Sequence, residues 1–162
     1  MAGPFLTVPR LNGVAESWPV WLLLVHAATA CVMTGLIWFV QIVHYPLLAA
    51  VDAQGFGAYH REHTRRTTCV VGPVMLIEAT TAVWIASVPL TAPSLAWLGL
   101  ALLATVWAAT MWLSVPRHNR LAAGFDGAAH ASLVTTNWIR TVGWTARSIV
   151  ALAMVADALR TP

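Results

Sequence analysis

The chain has 162 residues, of which 59% are hydrophobic and only 9% charged, and its mean hydropathy is +0.71. So few charges cannot cover a soluble globule of this size, and lipid must cover much of its surface. All nine basic residues are arginine and the formal net charge is +3, an excess suited to orienting a chain in a membrane and too small to argue for a nucleic-acid partner.

Residues 1–17 read as an N-terminal tail and residues 18–162 as a single membrane domain. The first apolar run extends from Trp18 to Val43 without a charge. At about 1.5 Å per residue it spans a hydrocarbon core of about 30 Å. It is too long for a signal-peptide core, and three further runs follow, so it is kept as the first span. Those runs cover about 67–88, 94–115 and 136–158. The fold class expected is therefore all-α, a bundle of four transmembrane helices.

Between the second and third runs lies only the uncharged, proline-bounded stretch from Pro89 to Pro93, which makes those helices an antiparallel hairpin. The other two connections, residues 44–66 and 116–135, are longer and polar. With the start of the fourth span they carry Arg61, Arg65, Arg66, Arg117, Arg120 and Arg140, against Arg10 and Arg160 on the other side. The positive-inside rule places these connections in the cytoplasm and both termini outside, as for a multi-pass protein. Trp18, Trp21 and Trp97 fit an aromatic belt at the outer ends. Cys31 and Cys69 lie in apolar runs without CxxC spacing and read as small buried hydrophobes.

The two long connections echo each other. Leu48-Ala49-Ala50 and Gly55-Phe56 leading to His60 match Leu121-Ala122-Ala123 and Gly124-Phe125 leading to His130. This pattern predicts two helix-loop-helix halves related by a pseudo-twofold axis along the membrane normal, with His60 and His130 as partners across it.

Ionisable groups inside a span are costly and by default face the bundle interior with a partner. Glu78 and Arg147 lie equally far from the starts of the second and fourth runs at Thr67 and Thr136. They share a depth, so a buried pair is expected, as a register lock or as a working site. Asn137, Arg140, Trp144 and Arg147 fall on one stripe of the fourth helix. His26, Met33, Gln41 and His44 share a face of the first helix, and these groups should converge on a cavity open to the cytoplasm. His44, His60, His63, His118 and His130 belong to the cytoplasmic side, a set suited to ligating a transition metal or haem. Neither EXXH nor HEXXH spacing is present. His26 stands apart as an axial haem ligand or a core histidine. Trp38, Trp84, Trp107, Trp112, Trp138 and Trp144 could stack on a planar ligand or simply pack.

The strings His44-Tyr45-Pro46-Leu47-Leu48, Tyr59-His60-Arg61-Glu62-His63, Gly72-Pro73-Val74-Met75-Leu76-Ile77-Glu78, His118-Asn119, Gly124-Phe125-Asp126 and Thr136-Asn137-Trp138-Ile139-Arg140-Thr141 resemble those of small four-span bacterial membrane proteins of uncharacterised function. The resemblance runs from about residue 35 to residue 147 and implies the four-helix fold and an inner-membrane location. A looser similarity, through His26 followed by Thr34-Gly35-Leu36, is to the small haem-binding four-span protoporphyrinogen oxidases of bacteria. That family uses a lysine and this chain has none.

Three functions follow as expectations. The first is an oxidoreductase acting on a lipid-soluble substrate. In it His44, His60, His63, His118 and His130 would hold a metal or haem, Glu78 would move protons, Arg140 and Arg147 would hold an anionic or quinone-like group, and Gln41, Asn137 and Trp144 would line the cofactor site. The second is a non-catalytic accessory subunit of a respiratory or photosynthetic complex, with other membrane subunits or a second copy as partner. The third is a small anion-binding or transport protein.

Overall fold

A computed structural model describes residues 18–160, so Arg10 and the N-terminal tail lie outside the described residues. Four long helices account for nearly all of it: α1 (Trp18–Ala50), α2 (Phe56–Ser87), α3 (Pro93–Ala123) and α4 (Gly127–Ala158). There is no strand among the described residues. Each helix packs on its sequence neighbours and α4 closes the ring on α1, giving an antiparallel four-helix bundle.

The helices run past the expected spans. At 31 to 33 residues each, they are about 48 Å long, against a hydrocarbon core of about 30 Å. Hydropathy registers only the apolar part of such a helix. The supposed polar connections at 44–66 and 116–135 are therefore mostly helix, and the true turns are residues 51–55 and 124–126. Asp126 caps α4, its carboxylate accepting the Ala129 amide at 2.9 Å, which satisfies one of the orphan donors of a helix start. Gly124 permits the turn before it, with φ at +153°.

Two helices are widened at the same end of the bundle. In α1 the segment Val40–His44 is π-helical and in α3 so is Ala109–Ser114. Each widened segment stops one residue short of a proline, Pro46 in α1 and Pro116 in α3. A proline offers no amide and its ring crowds the carbonyl four residues back, so a wider turn there relieves the clash at little cost.

The outward surface is as apolar as the interior, with Trp21, Trp97 and Trp112 among its exposed side chains. Cys31 and Cys69 are exposed as well, contrary to expectation. In a lipid-facing protein an apolar setting does not imply burial, because the bilayer itself solvates that face. Cohesion comes instead from close backbone approach and from polar contacts across the seams. Ala27, Ala30 and Ala151 let α1 and α4 meet closely. Thr34 donates to the Trp144 carbonyl at 2.8 Å and shares a hydrogen bond with Ser148 at 2.6 Å along the same seam. On α4, Gly143 has no room for a side chain, since a Cβ there would collide with Val106 of α3.

Candidate ligand cavity and its polar end

The interior holds two polar regions, one closed and one open. In the closed region Glu78 of α2 accepts from Arg147 of α4, forming the ion pair expected from their shared depth. Arg147 also donates to the Gly99 carbonyl of α3 and to His26 Nε2 at 3.3 Å. Because that nitrogen accepts, His26 carries its proton on Nδ1 and donates to Thr81 Oγ1 at 2.9 Å. Both ring nitrogens are thus engaged, which makes His26 a core histidine with no lone pair left for iron. Glu78, Arg147 and His26 are at most 1% exposed. Gly99 leaves just the space this requires, since a Cβ there would sit 3.2 Å from Arg147 Nη1 and 2.9 Å from Met154 Cε.

Two helical turns away along α4, Arg140 faces a different setting. Its Nη1 donates to Asn137 Oδ1 at 3.1 Å and to Ser114 Oγ at 3.3 Å, and Asn137 in turn donates to Gln41 Oε1 at 2.9 Å. Arg140 is 8% exposed, its Nε has no hydrogen-bond partner, and among the described residues no carboxylate pairs with it. It lines a cavity of about 430 Å³ bounded by all four helices. The body of the cavity is apolar, walled by Met33 and Ile37 of α1, Met75 of α2 and Trp107 of α3. Its polar end carries Tyr45, His63, Ser114, His118 and Arg140. Exposed lining residues on α2 (Thr68, Leu76) and on α3 (Met111, Val115) mark its opening, which lies between those two helices on the lipid-facing side. The expectation was a cavity open to the cytoplasm; these residues place an opening on the side of the bundle, and the exposed Asn119 lines the cavity toward the histidine-rich end.

Four of the five histidines assigned to metal binding gather beside this polar end. His118 joins Tyr45 and His60 in a chain: Tyr45 Oη lies 2.9 Å from His118 Nε2, and His118 Nδ1 lies 3.1 Å from His60 Nε2. His44 and His63 stack with ring centroids 3.9 Å apart. His130 stands away from the cavity, donating from Nε2 to the Tyr45 carbonyl at 2.7 Å. His60 therefore pairs with His118 and not with His130, so the contact predicted from the repeat is not formed and the pseudo-twofold is unsupported.

The donor set does not form a multi-ligand metal site. Both nitrogens of His118 are in hydrogen bonds, and His44 stacks on His63. Among the described residues no three His, Cys, Asp or Glu side chains are grouped as a metal ion requires. Of the other assigned residues, Gln41 and Asn137 are bonded to each other, Trp144 is fully buried in the core, and Glu78 and Arg147 are ion-paired with each other, although Glu78 Oε2 and Arg147 Nε have no hydrogen-bond partner. Only Arg140 of the expected reacting groups reaches the cavity. Of the six tryptophans considered for stacking, Trp107 alone lines it. Tyr45 and Ser114 were missed: neither is charged, and the π-helical segments that bring both inward leave no mark in hydropathy.

No family model, no curated protein and no solved structure matches this chain.

Proposed function

We propose that the protein binds a lipid-soluble amphiphile with an anionic, oxygen-bearing head, which enters from the bilayer between α2 and α3. Its apolar body occupies the cavity beside Met33, Met75 and Trp107, and its head is held by Arg140 with Tyr45 and Ser114 beside it. The histidine-rich end faces the cytoplasm of a bacterial cell, following the bias of arginine toward that end.

The observation that carries this reading is Arg140, a buried cation that lines the cavity without a carboxylate partner. Leaving one charge unpaired in a low-dielectric interior costs several kcal/mol, and an anion supplied by a ligand would offset that. The apolar wall selects against small hydrated anions, which would lose their water there without replacement. Among the described residues no group of three metal ligands supports redox turnover at a bound metal ion, which is not part of the reading.

Palmitate is a suitable probe, with protein in lipid nanodiscs and binding measured by radiolabel retention. The wild type should bind saturably at one site, and Arg140→Gln should weaken binding at least about tenfold, roughly 1.4 kcal/mol. Equal affinity in the two proteins would overturn the assignment of the head to Arg140, and no saturable binding by the wild type would overturn the reading as a whole.

A further inference from the structure

The residues that line the cavity occupy matching stretches of three helices: 33–45 of α1, 63–76 of α2 and 107–119 of α3. Each stretch rises by about 18 Å along the bundle. The cavity is therefore a slot parallel to the helices, and its two ends differ. At one end Arg140, the single lining residue from α4, is hydrogen-bonded to Ser114 and Tyr45. At the other end Met33 and Met75, both buried, form a floor. Beyond it, one turn further along α2 and two turns back along α1, stand Glu78 and His26 with Arg147 between them. None of those three lines the slot, which stops short of the ion pair. A hydrocarbon core of about 30 Å gives each leaflet about 15 Å, so the slot is as deep as one leaflet and its headgroup edge.

Length and volume agree on what fills it. An extended chain advances about 1.2 Å per bond, so about fifteen bonds reach from end to end. If each non-hydrogen atom takes roughly the 30 Å³ share of a liquid water molecule, the slot's volume of about 430 Å³ holds about fourteen. The two counts coincide for one chain; two chains side by side would need twice the volume over the same length. The polar end sets the charge of the head. Arg140 balances one negative charge, whereas Tyr45 and Ser114 offer hydrogen bonds and no fixed charge. A dianionic head would bring a second charge into a low-dielectric site with no fixed cation to meet it.

We infer that the ligand is a single-chain carboxylic acid with a tail of about fourteen to sixteen carbons, held lengthwise in the slot with its carboxylate at Arg140 and its methyl end at Met33 and Met75. This rests on the proposed binding of an anionic amphiphile at Arg140 and names its chemical class. The side opening framed by Thr68, Leu76, Met111 and Val115 runs along the slot, so a chain enters sideways without leaving hydrocarbon. Moving the tail from lipid to an apolar wall is close to neutral, because lipid tails are as apolar as the wall. The affinity then comes from the carboxylate on the guanidinium, and the selectivity from the length and width of the slot. A two-chain phospholipid carries several times too many atoms to enter. Since the floor lies at the ion pair, the ligand enters and leaves from the same leaflet.

The test uses two palmitate analogues in phosphatidylcholine nanodiscs, one with a photoreactive diazirine next to the carboxylate and one with it next to the terminal methyl. After irradiation, mass spectrometry of the digested protein reads where each has attached. The methyl-end analogue should mark Met33, Met75 or Trp107, and the carboxylate-end analogue Ser114, Val115 or His118. Excess palmitate should abolish both patterns. Dipalmitoyl phosphatidylglycerol, with the same tails and one negative charge, should leave both in place. Attachment of both analogues to the same residues would overturn the lengthwise placement. Displacement by the phosphatidylglycerol as effective as by palmitate would overturn the single-chain class and leave the anionic amphiphile standing. Labelling that palmitate does not displace, from either analogue, would remove the underlying reading too.

Discussion

Arg147 and Arg140 lie two turns apart on the same stripe of α4, both buried, yet they are solvated in opposite ways. Arg147 is held by the Glu78 carboxylate, the Gly99 carbonyl and His26, so its charge and most of its donors are met by protein. Arg140 has only neutral oxygens, those of Asn137, Ser114 and Tyr45, and looks into a cavity. The difference teaches that burial of an arginine in a membrane bundle is not by itself a sign of function; what matters is whether the protein or something else supplies the opposite charge. The first arrangement ties α1, α2, α3 and α4 together at mid-depth. The second leaves a charge to be satisfied from outside.

The largest effect should come from breaking the closed region. Glu78→Ala leaves Arg147 buried without its counter-charge and should cost about 3–5 kcal/mol of stability, whereas the double change Glu78→Leu with Arg147→Met should recover most of that. Reversible unfolding in mixed micelles would measure both. If the single change is mild, the pair is not a lock and the contrast with Arg140 disappears.

Arg140→Gln should do much less in the same assay. Removing a buried cation that has no carboxylate partner should change stability by under about 1 kcal/mol, or raise it, while ligand binding is lost. A loss as large as that of Glu78→Ala would make Arg140 a structural residue and remove the main reason for placing a ligand beside it.

The smallest effect belongs to the turn that aligns α4, and with it both arginines. The Ala129 amide, aided by Arg120, holds the Asp126 carboxyl below its usual range. A carboxyl whose pKa is depressed on folding stabilises above its unfolded value, so this contribution is complete at neutral pH and fades as pH falls through the depressed value. Asp126→Asn should remove the acid-side loss attributable to this cap, read as a flatter dependence of the unfolding midpoint on pH below the ordinary carboxylate range. An unaltered slope would show that the cap does not report on folding.

Much of this was legible in the chain itself. Four apolar runs, their number and order, the mid-depth pairing of Glu78 with Arg147 and the inward stripe of α4 follow from hydropathy, from the helical period and from the cost of a lone charge in lipid. Those are local or one-dimensional constraints, and each holds whatever the neighbours do. The histidines show the limit. Their abundance at one end was visible, but whether five imidazoles converge on a metal or pair off depends on ring orientations, which are set by helix rotation. Here the π-helical turns before Pro46 and Pro116 shift that rotation, and the rings stack and bond in pairs. Helix ends were misjudged for a related reason: polar sequence beyond the bilayer still gains from continued helical hydrogen bonding, so α2 and α4 begin well before their apolar runs. The inside and outside of each helix were also obscure, since both faces are apolar and Cys31 and Cys69 sit outward. Composition and spacing determined that this is a four-span bundle with a buried ion pair; only tertiary packing decided that Arg140 is left uncompensated at a cavity, because a missing partner is a property of the whole neighbourhood and not of any segment.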